Sequence, residues 1–195
     1  MDELEERAGH GGGLRGLASG FPDLDDITGG FRRGDLVVLA GRPSMGKTQL
    51  ALNIASHAAL AEAAGVLVFT FEMSREAAAQ RMLAAAAQVA GERLDRGRLE
   101  PGEWKRLLEA CERLAPARLY VDQSASTIPG IRAKAERLLA RPGGLGLLVV
   151  DYLQLVQPDR QGQSRTEEVS QITRGLKLVA QDLDIPVLAL AQLNR

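Results

Sequence analysis

From residue 35 to residue 192 the chain alternates short unbroken apolar runs with longer segments in which apolar residues recur every three or four positions. The runs of strand length are 36–40, 66–71, 119–122, 147–151 and 187–191. They are apolar throughout rather than at alternate positions, so they predict strands covered on both faces, as in a parallel sheet. Helical patterns fill 46–63, 74–90, 102–114, 128–140 and 166–183. This succession of strand and helix predicts an α/β fold, a mainly parallel, doubly wound sheet with helices on both faces.

The last helix is the clearest. Val169, Ile172, Leu176, Val179 and Leu183 are spaced by three and four, which puts them on one face. Ser164 followed by Glu167 has the form of a capping box, and Ser74 and Thr127 are N-cap candidates for two other helices. No internal repeat is visible.

Ahead of the first strand, residues 9–20 are rich in glycine and poor in apolar anchors. Residues 1–20 therefore read as a flexible leader, and residues 21–195 as one folded domain. Gly11, Gly13 and Gly16 have the GxGxxG spacing, and residues 10–13 spell HGGG. Neither has the strand, helix or nucleophile elbow that its chemistry requires.

The chain has 195 residues, 45% of them hydrophobic and 25% charged. That suffices for one core without disulfides or a structural metal. With 24 basic and 25 acidic residues the net charge is −1, so no global positive field draws the protein to nucleic acid, and any such contact is local. Cys111 is the one cysteine, and His10 and His57 lie far apart, which excludes a disulfide framework and a metal-ligand cluster. The acidic N-terminus and the lack of any apolar stretch of about 18 residues point to a cytoplasmic protein with no membrane partner.

Gly41-Arg42-Pro43-Ser44-Met45-Gly46-Lys47-Thr48 matches GxxxxGK[ST] and sits between an apolar strand and a helix, the context that a phosphate loop needs. The glycines let backbone N–H groups curl around phosphate oxygens, and the helix N-terminus adds partial positive charge. Lys47 is placed to neutralise the β and γ phosphates, and Thr48 to ligate Mg²⁺. The carboxylate on the metal side is Asp151, which ends the run 147–151, with Asp122 at the end of a shorter run as the alternative. Glu72, following the run 66–71, is the candidate base for the attacking water. Gln192 ends the last strand and by itself reads as a solvated strand-end residue.

Taken together, these segments resemble the motor domain of the bacterial replicative DNA helicases, the DnaB-type family of RecA-like P-loop ATPases. The strings that carry the likeness are Gly-Phe-Pro-Asp-Leu-Asp at 20–25, residues 41–48, Phe-Glu-Met-Ser at 71–74, Asp-Tyr-Leu-Gln-Leu at 151–155 and Ala-Gln-Leu-Asn-Arg at 191–195. The resemblance implies an ATP-hydrolysing motor that translocates on single-stranded DNA and unwinds duplex, with ATP and Mg²⁺ as ligands. It implies binding of nucleotide by Gly41, Ser44, Met45, Gly46, Lys47 and Thr48, and of the metal by Thr48 and Asp151. It makes Glu72 the catalytic base and Gln192 the link from the γ-phosphate to a DNA-facing loop, and it sets Arg81 near the nucleotide. A hexameric ring and a primase or helicase-loader partner belong to the same implication.

The family's motor domain continues past its Gln-Leu-Asn-Arg string into a DNA-binding loop and an arginine finger that acts across the subunit boundary. A chain ending at Arg195 is therefore expected to hydrolyse ATP slowly and to show little helicase activity alone. Two other readings use the same loop: a recombinase-type or clock-type ATPase of the same superfamily, and a nucleotide-binding regulator of a helicase without catalysis.

Overall fold

The computed structural model describes residues 14–158 and 164–193. Its centre is a five-stranded sheet of β1 (Leu36–Gly41), β2 (Val66–Thr70), β3 (Leu119–Asp122), β4 (Leu147–Asp151) and β5 (Val187–Gln192). The spatial order is β1-β5-β4-β2-β3 and every pairing is parallel. The helices are α1 (Pro22–Thr28), α2 (Lys47–Leu60), α3 (Arg75–Ala87), α4 (Gly91–Asp95), α5 (Pro101–Leu114), α6 (Ile128–Leu139) and α7 (Arg165–Leu183).

Alternate strand residues feed two hydrophobic layers. Leu67, Phe69, Leu148, Val150, Val187 and Ala189 pack with Ile131 and Ala135 of α6 and with Ile172, Leu176 and Val179 of α7. Val66, Val68, Leu147, Val149, Leu188 and Leu190 face the other way, against Ala51, Ala55, Ala58 and Ala59 of α2. The small alanines let α2 lie close on the sheet, which fixes its N-terminus at the C-terminal edge of β1. A third, smaller cluster of Ala87, Val89, Leu107 and Ala110 joins α3 to α5.

Full cover on both faces holds for β2 and β4, which are buried throughout. It does not hold for β1 and β3, which end the sheet: Val38 is 46% exposed and β3 is half-buried along its length. An unbroken apolar run reports hydrophobic content, but it does not say which strands lie at an edge.

The predicted helix 74–90 is shorter, because Gln88 turns into the left-handed region at φ 53° and the chain restarts as α4. The sequence pattern also misses α1, where Pro22 opens a seven-residue helix, and a 3-10 turn at Leu153–Leu155. Pieces this short carry too few apolar repeats to show a period. The caps on Ser74 and Thr127 form as predicted, accepting from the N–H groups of Ala77 and Gly130, and at the start of α7 the serine half of the expected capping box is in place, Ser164 accepting from Glu167 N–H.

Much of the expected leader lies outside the described residues, but Arg15 to Ser19 are part of the fold. The N–H groups of Arg15 and Gly16 donate to the Gly29 carbonyl, and Leu17 and Phe31 exchange two backbone bonds of 2.9 and 2.8 Å. A Cβ on Gly16 would stand 2.4 Å from the Phe31 carbonyl carbon. The glycine is there for close backbone approach, a use that composition does not distinguish from linker flexibility. Ser19 N–H in turn donates to the buried Asp25 at 2.8 Å, tying this segment to α1.

Candidate nucleotide site

At the C-terminal edge of the sheet, Gly41, Gln192, Asp151 and Thr70 end four adjacent strands, and the chain between β1 and α2 arches over them. Ligands of open α/β sheets bind in this crevice. The arch depends on two left-handed residues, Ser44 at φ 61° and Gly46 at φ 83°. Gly46 is the N-cap of α2 and supplies no side-chain cap, so the first-turn amides of the helix have no side-chain acceptor. A Cβ built on Gly46 meets no atom within 4 Å. An open concavity, uncapped amides and an ammonium together suit phosphate oxygens.

Beneath the arch is a cavity of about 460 Å³, lined by Ser44, Gly46, Lys47, Thr48, Glu72, Arg81, Asp151 and Gln192 among others. Lys47 Nζ donates to the Arg42 carbonyl at 2.8 Å, which folds the side chain back along the loop. Thr48 Oγ1 donates to Asp151 Oδ2 at 2.8 Å. Burial pushes the Asp151 carboxyl up from its ordinary pKa and the charge of Glu72 adds to this, while Thr48, Lys47 and Arg81 pull it the other way. A hard divalent cation prefers such an oxygen set, a hydroxyl beside a carboxylate already close to charged neighbours, so the residues present fit Mg²⁺.

Glu72 sits past the end of β2, on a loop rather than on the strand. That loop is held from two sides: the Met73 carbonyl accepts from Thr70 Oγ1 at 3.1 Å and from Gln123 Nε2 at 2.6 Å. Arg81 reaches the cavity from α3. Two of the expected residues do not line it. Met45 is 73% exposed, and Gly41 closes β1, its carbonyl accepting from Leu193 N–H. Asp122 is also elsewhere. It lies on the edge strand β3 and forms an ion pair with Lys134. Burial raises its carboxyl, but hydrogen bonds from Lys134 and Ser124 outweigh this and hold it below the ordinary value.

Tyr152 and Gln49 line the cavity although neither is a candidate from sequence. Tyr152 could have been found, since it follows Asp151 directly, whereas Gln49 carries no signal beyond its place after Thr48. Asn194 and Arg195, the end of the last matching string, lie outside the described residues. A larger cavity of about 610 Å³ lies at the opposite end of the sheet, around Phe31, Gly65 and Pro186, away from all of these groups.

A model of the DnaB-like helicase C-terminal domain matches residues 16–195. The chain belongs to this family. It is 42% identical to the replicative DNA helicase DnaB of Geobacillus stearothermophilus over the whole chain and 43% of that protein. It is 40% identical to the replicative DNA helicase DnaC of Bacillus subtilis strain 168 over 43% of that protein. The DnaB-like chain thus spans less than half the length of these relatives. Among solved structures, a DnaB-like replicative helicase, described together with its interactions with primase, superposes with a TM-score of 0.91 at 31% identity, covering the whole chain and 47% of that structure. The ATPase domain of a further helicase gives the same TM-score and identity, again over the whole chain and over 69% of its own. The fold is therefore that of the RecA-like ATPase domains of these helicases, and the recombinase and clock-type readings fall away. No described helix is long and apolar enough to cross a membrane.

Proposed function

We propose that this DnaB-like domain binds Mg-ATP in the cavity under the 41–48 arch and hydrolyses it. The observation that carries the reading is the Thr48–Asp151 hydrogen bond, which joins the phosphate loop to a carboxylate in a cavity that Glu72 and Arg81 also line. Lys47 and the amides of the arch hold the phosphates, and Thr48 with Asp151 provides the oxygens for Mg²⁺. The ion supplies charge neutralisation on the phosphates. Glu72 accepts a proton from water as that water's oxygen bonds to the γ-phosphorus, and the bond from the γ-phosphorus to the bridging oxygen breaks, leaving ADP and phosphate. Gln192, at the end of β5, reads the γ-phosphate.

Family membership extends the proposal to the larger assembly. There the domain works in the cytoplasm as one motor of a homo-hexameric ring on single-stranded DNA, with a primase or a loader as partner. The deciding experiment measures Mg-ATP affinity and turnover for the chain and for Glu72→Gln, with and without single-stranded DNA. Binding by both proteins, with turnover in the parent only, is expected. Absence of binding by the parent overturns the reading, and turnover that survives in Glu72→Gln removes Glu72 from its role. Binding without turnover in the parent favours the non-catalytic regulator.

A further inference from the structure

The two ladders beside β5 end at different heights. Toward β1 the pairing runs on to Gly41↔Gln192, but toward β4 it stops at Val150↔Ala189, because the chain leaves β4 after Asp151. The last backbone groups of β5 on that side therefore have no strand opposite them. The side chain of Gln154, from the 3-10 turn that follows β4, takes the strand's place. Its Nε2 donates to the Gln192 carbonyl at 2.9 Å, and its Oε1 accepts from Gln192 N–H at 3.2 Å. A primary amide carries the same donor and acceptor pair as a peptide group, so Gln154 forms a side-chain rung of the ladder. Its own carbonyl accepts from the Arg165 guanidinium, and Arg165 also bonds Glu168 in the first turn of α7 at 2.8 Å. Gln192 lines the nucleotide cavity and also a neighbouring one of about 550 Å³ that is lined by Gln154 and Arg165.

We propose that Gln154 is a positioning residue for Gln192. By clamping both backbone groups of Gln192 it fixes the height and direction from which that side chain faces the γ-phosphate, and through Arg165 it ties this position to α7. The inference rests on the reading of Gln192 as the group that senses the γ-phosphate.

The test is equilibrium binding, which does not depend on turnover. Dissociation constants for ADP and for a non-hydrolysable ATP analogue, both with Mg²⁺, are measured on the chain and on Gln192→Ala, Gln154→Leu and the double variant. The ratio of the two constants reports what the γ-phosphate gains. Gln192→Ala is expected to lower the ratio by roughly threefold to tenfold, the worth of one hydrogen bond. Gln154→Leu is expected to lower it by a similar factor while leaving ADP affinity unchanged, and the double variant to lose no more than Gln192→Ala. A general structural role would instead weaken ADP and the analogue together. Should the leucine variant fail to fold, Gln154→Asn, too short for both bonds, is expected to give the same result. A parent ratio retained in Gln154→Leu or Gln154→Asn while Gln192→Ala loses it overturns the inference alone, as does additive loss in the double variant. A parent ratio retained in Gln192→Ala overturns the reading of Gln192 and the inference with it.

Discussion

Thr48 Oγ1 lies 2.8 Å from Asp151 Oδ2, joining the first turn of α2 to the end of β4 across 103 positions of sequence. The bond places a hydroxyl and a carboxylate together where the phosphate loop meets the sheet. It forms because β1 and β4 flank β5 in one parallel sheet, which sets their C-terminal ends side by side. The sequence nominates both residues for the metal side of the site, but the strand order that brings them together is not contained in either local segment.

Replacing Asp151 with Asn keeps an acceptor for Thr48 and removes the charge. Mg²⁺-dependent nucleotide affinity is expected to fall roughly tenfold to a hundredfold, the worth of a charged contact, measured by titration with and without Mg²⁺. The free protein should respond in the opposite sense. Burial raises the Asp151 pKa in the folded state, with Glu72 adding to the rise, so the native fold favours the protonated acid. The stability of the parent relative to Asp151→Asn is therefore greatest below the unfolded value of about 3.9 and declines as pH rises through the folded value. Denaturation of both proteins across this range checks the sign. A parent that gains on the variant with rising pH would show that Asp151 is stabilised as the anion.

Gly46→Ala separates backbone strain from ligand space. At φ 83° an alanine costs about 1–2 kcal/mol, and since nothing in the protein lies within 4 Å of its Cβ, no packing clash adds to that. Gly46 lines the cavity, so the methyl group would take up space at its wall. Nucleotide affinity is expected to fall more than tenfold, a loss of over about 1.4 kcal/mol of binding beyond the stability change. Calorimetric titration beside a melting curve separates the two effects, and unaltered affinity in a folded variant would remove Gly46 from the phosphate cradle.

The parts of the molecule that are legible in the sequence are those with a local physical cause. The helical period of α7, the caps at Ser74 and Thr127 and the phosphate loop each depend on residues within a few positions of one another. Edges do not show, because Val38 and Val68 are the same residue type and only strand order makes one exposed and the other buried. The packing of Gly16 on Phe31 is hidden for a similar reason, since a glycine that admits close backbone approach has the composition of a linker. Gln154 stands in a string that carries the family likeness, but its two bonds to the Gln192 backbone come from a sheet register that no window along the chain contains.

Within α7, Leu176 and Leu178 make a matched pair. Leu176 is fully buried between the helix and the sheet, whereas Leu178 is 51% exposed. Leu176→Ala removes buried methyl groups and leaves a cavity, for an expected loss of about 2–5 kcal/mol of stability. Leu178→Ala is expected to change stability by less than about 0.5 kcal/mol. Chemical denaturation curves measure both, and comparable losses would mean that Leu178 is covered in solution by something beyond this fold.

Asp122 provides the corresponding test for the carboxylate that does not reach the cavity. It is partly buried on the edge strand and paired with Lys134, and its hydrogen bonds to Lys134 and Ser124 lower its pKa more than burial raises it. A depressed acid contributes stability above its unfolded value of about 3.9 and loses it as pH falls through the lower folded value. Asp122→Asn should therefore be less stable than the parent at neutral pH, by no more than about 1 kcal/mol for a pair this accessible to solvent, and the two should converge in strong acid. Mg²⁺-dependent nucleotide affinity should stay at the parent level, since Asp122 lies outside the residues that line the cavity. If Asp122→Asn lowered that affinity as far as Asp151→Asn does, the metal-side carboxylate would have to be reassigned from the end of β4 to the end of β3.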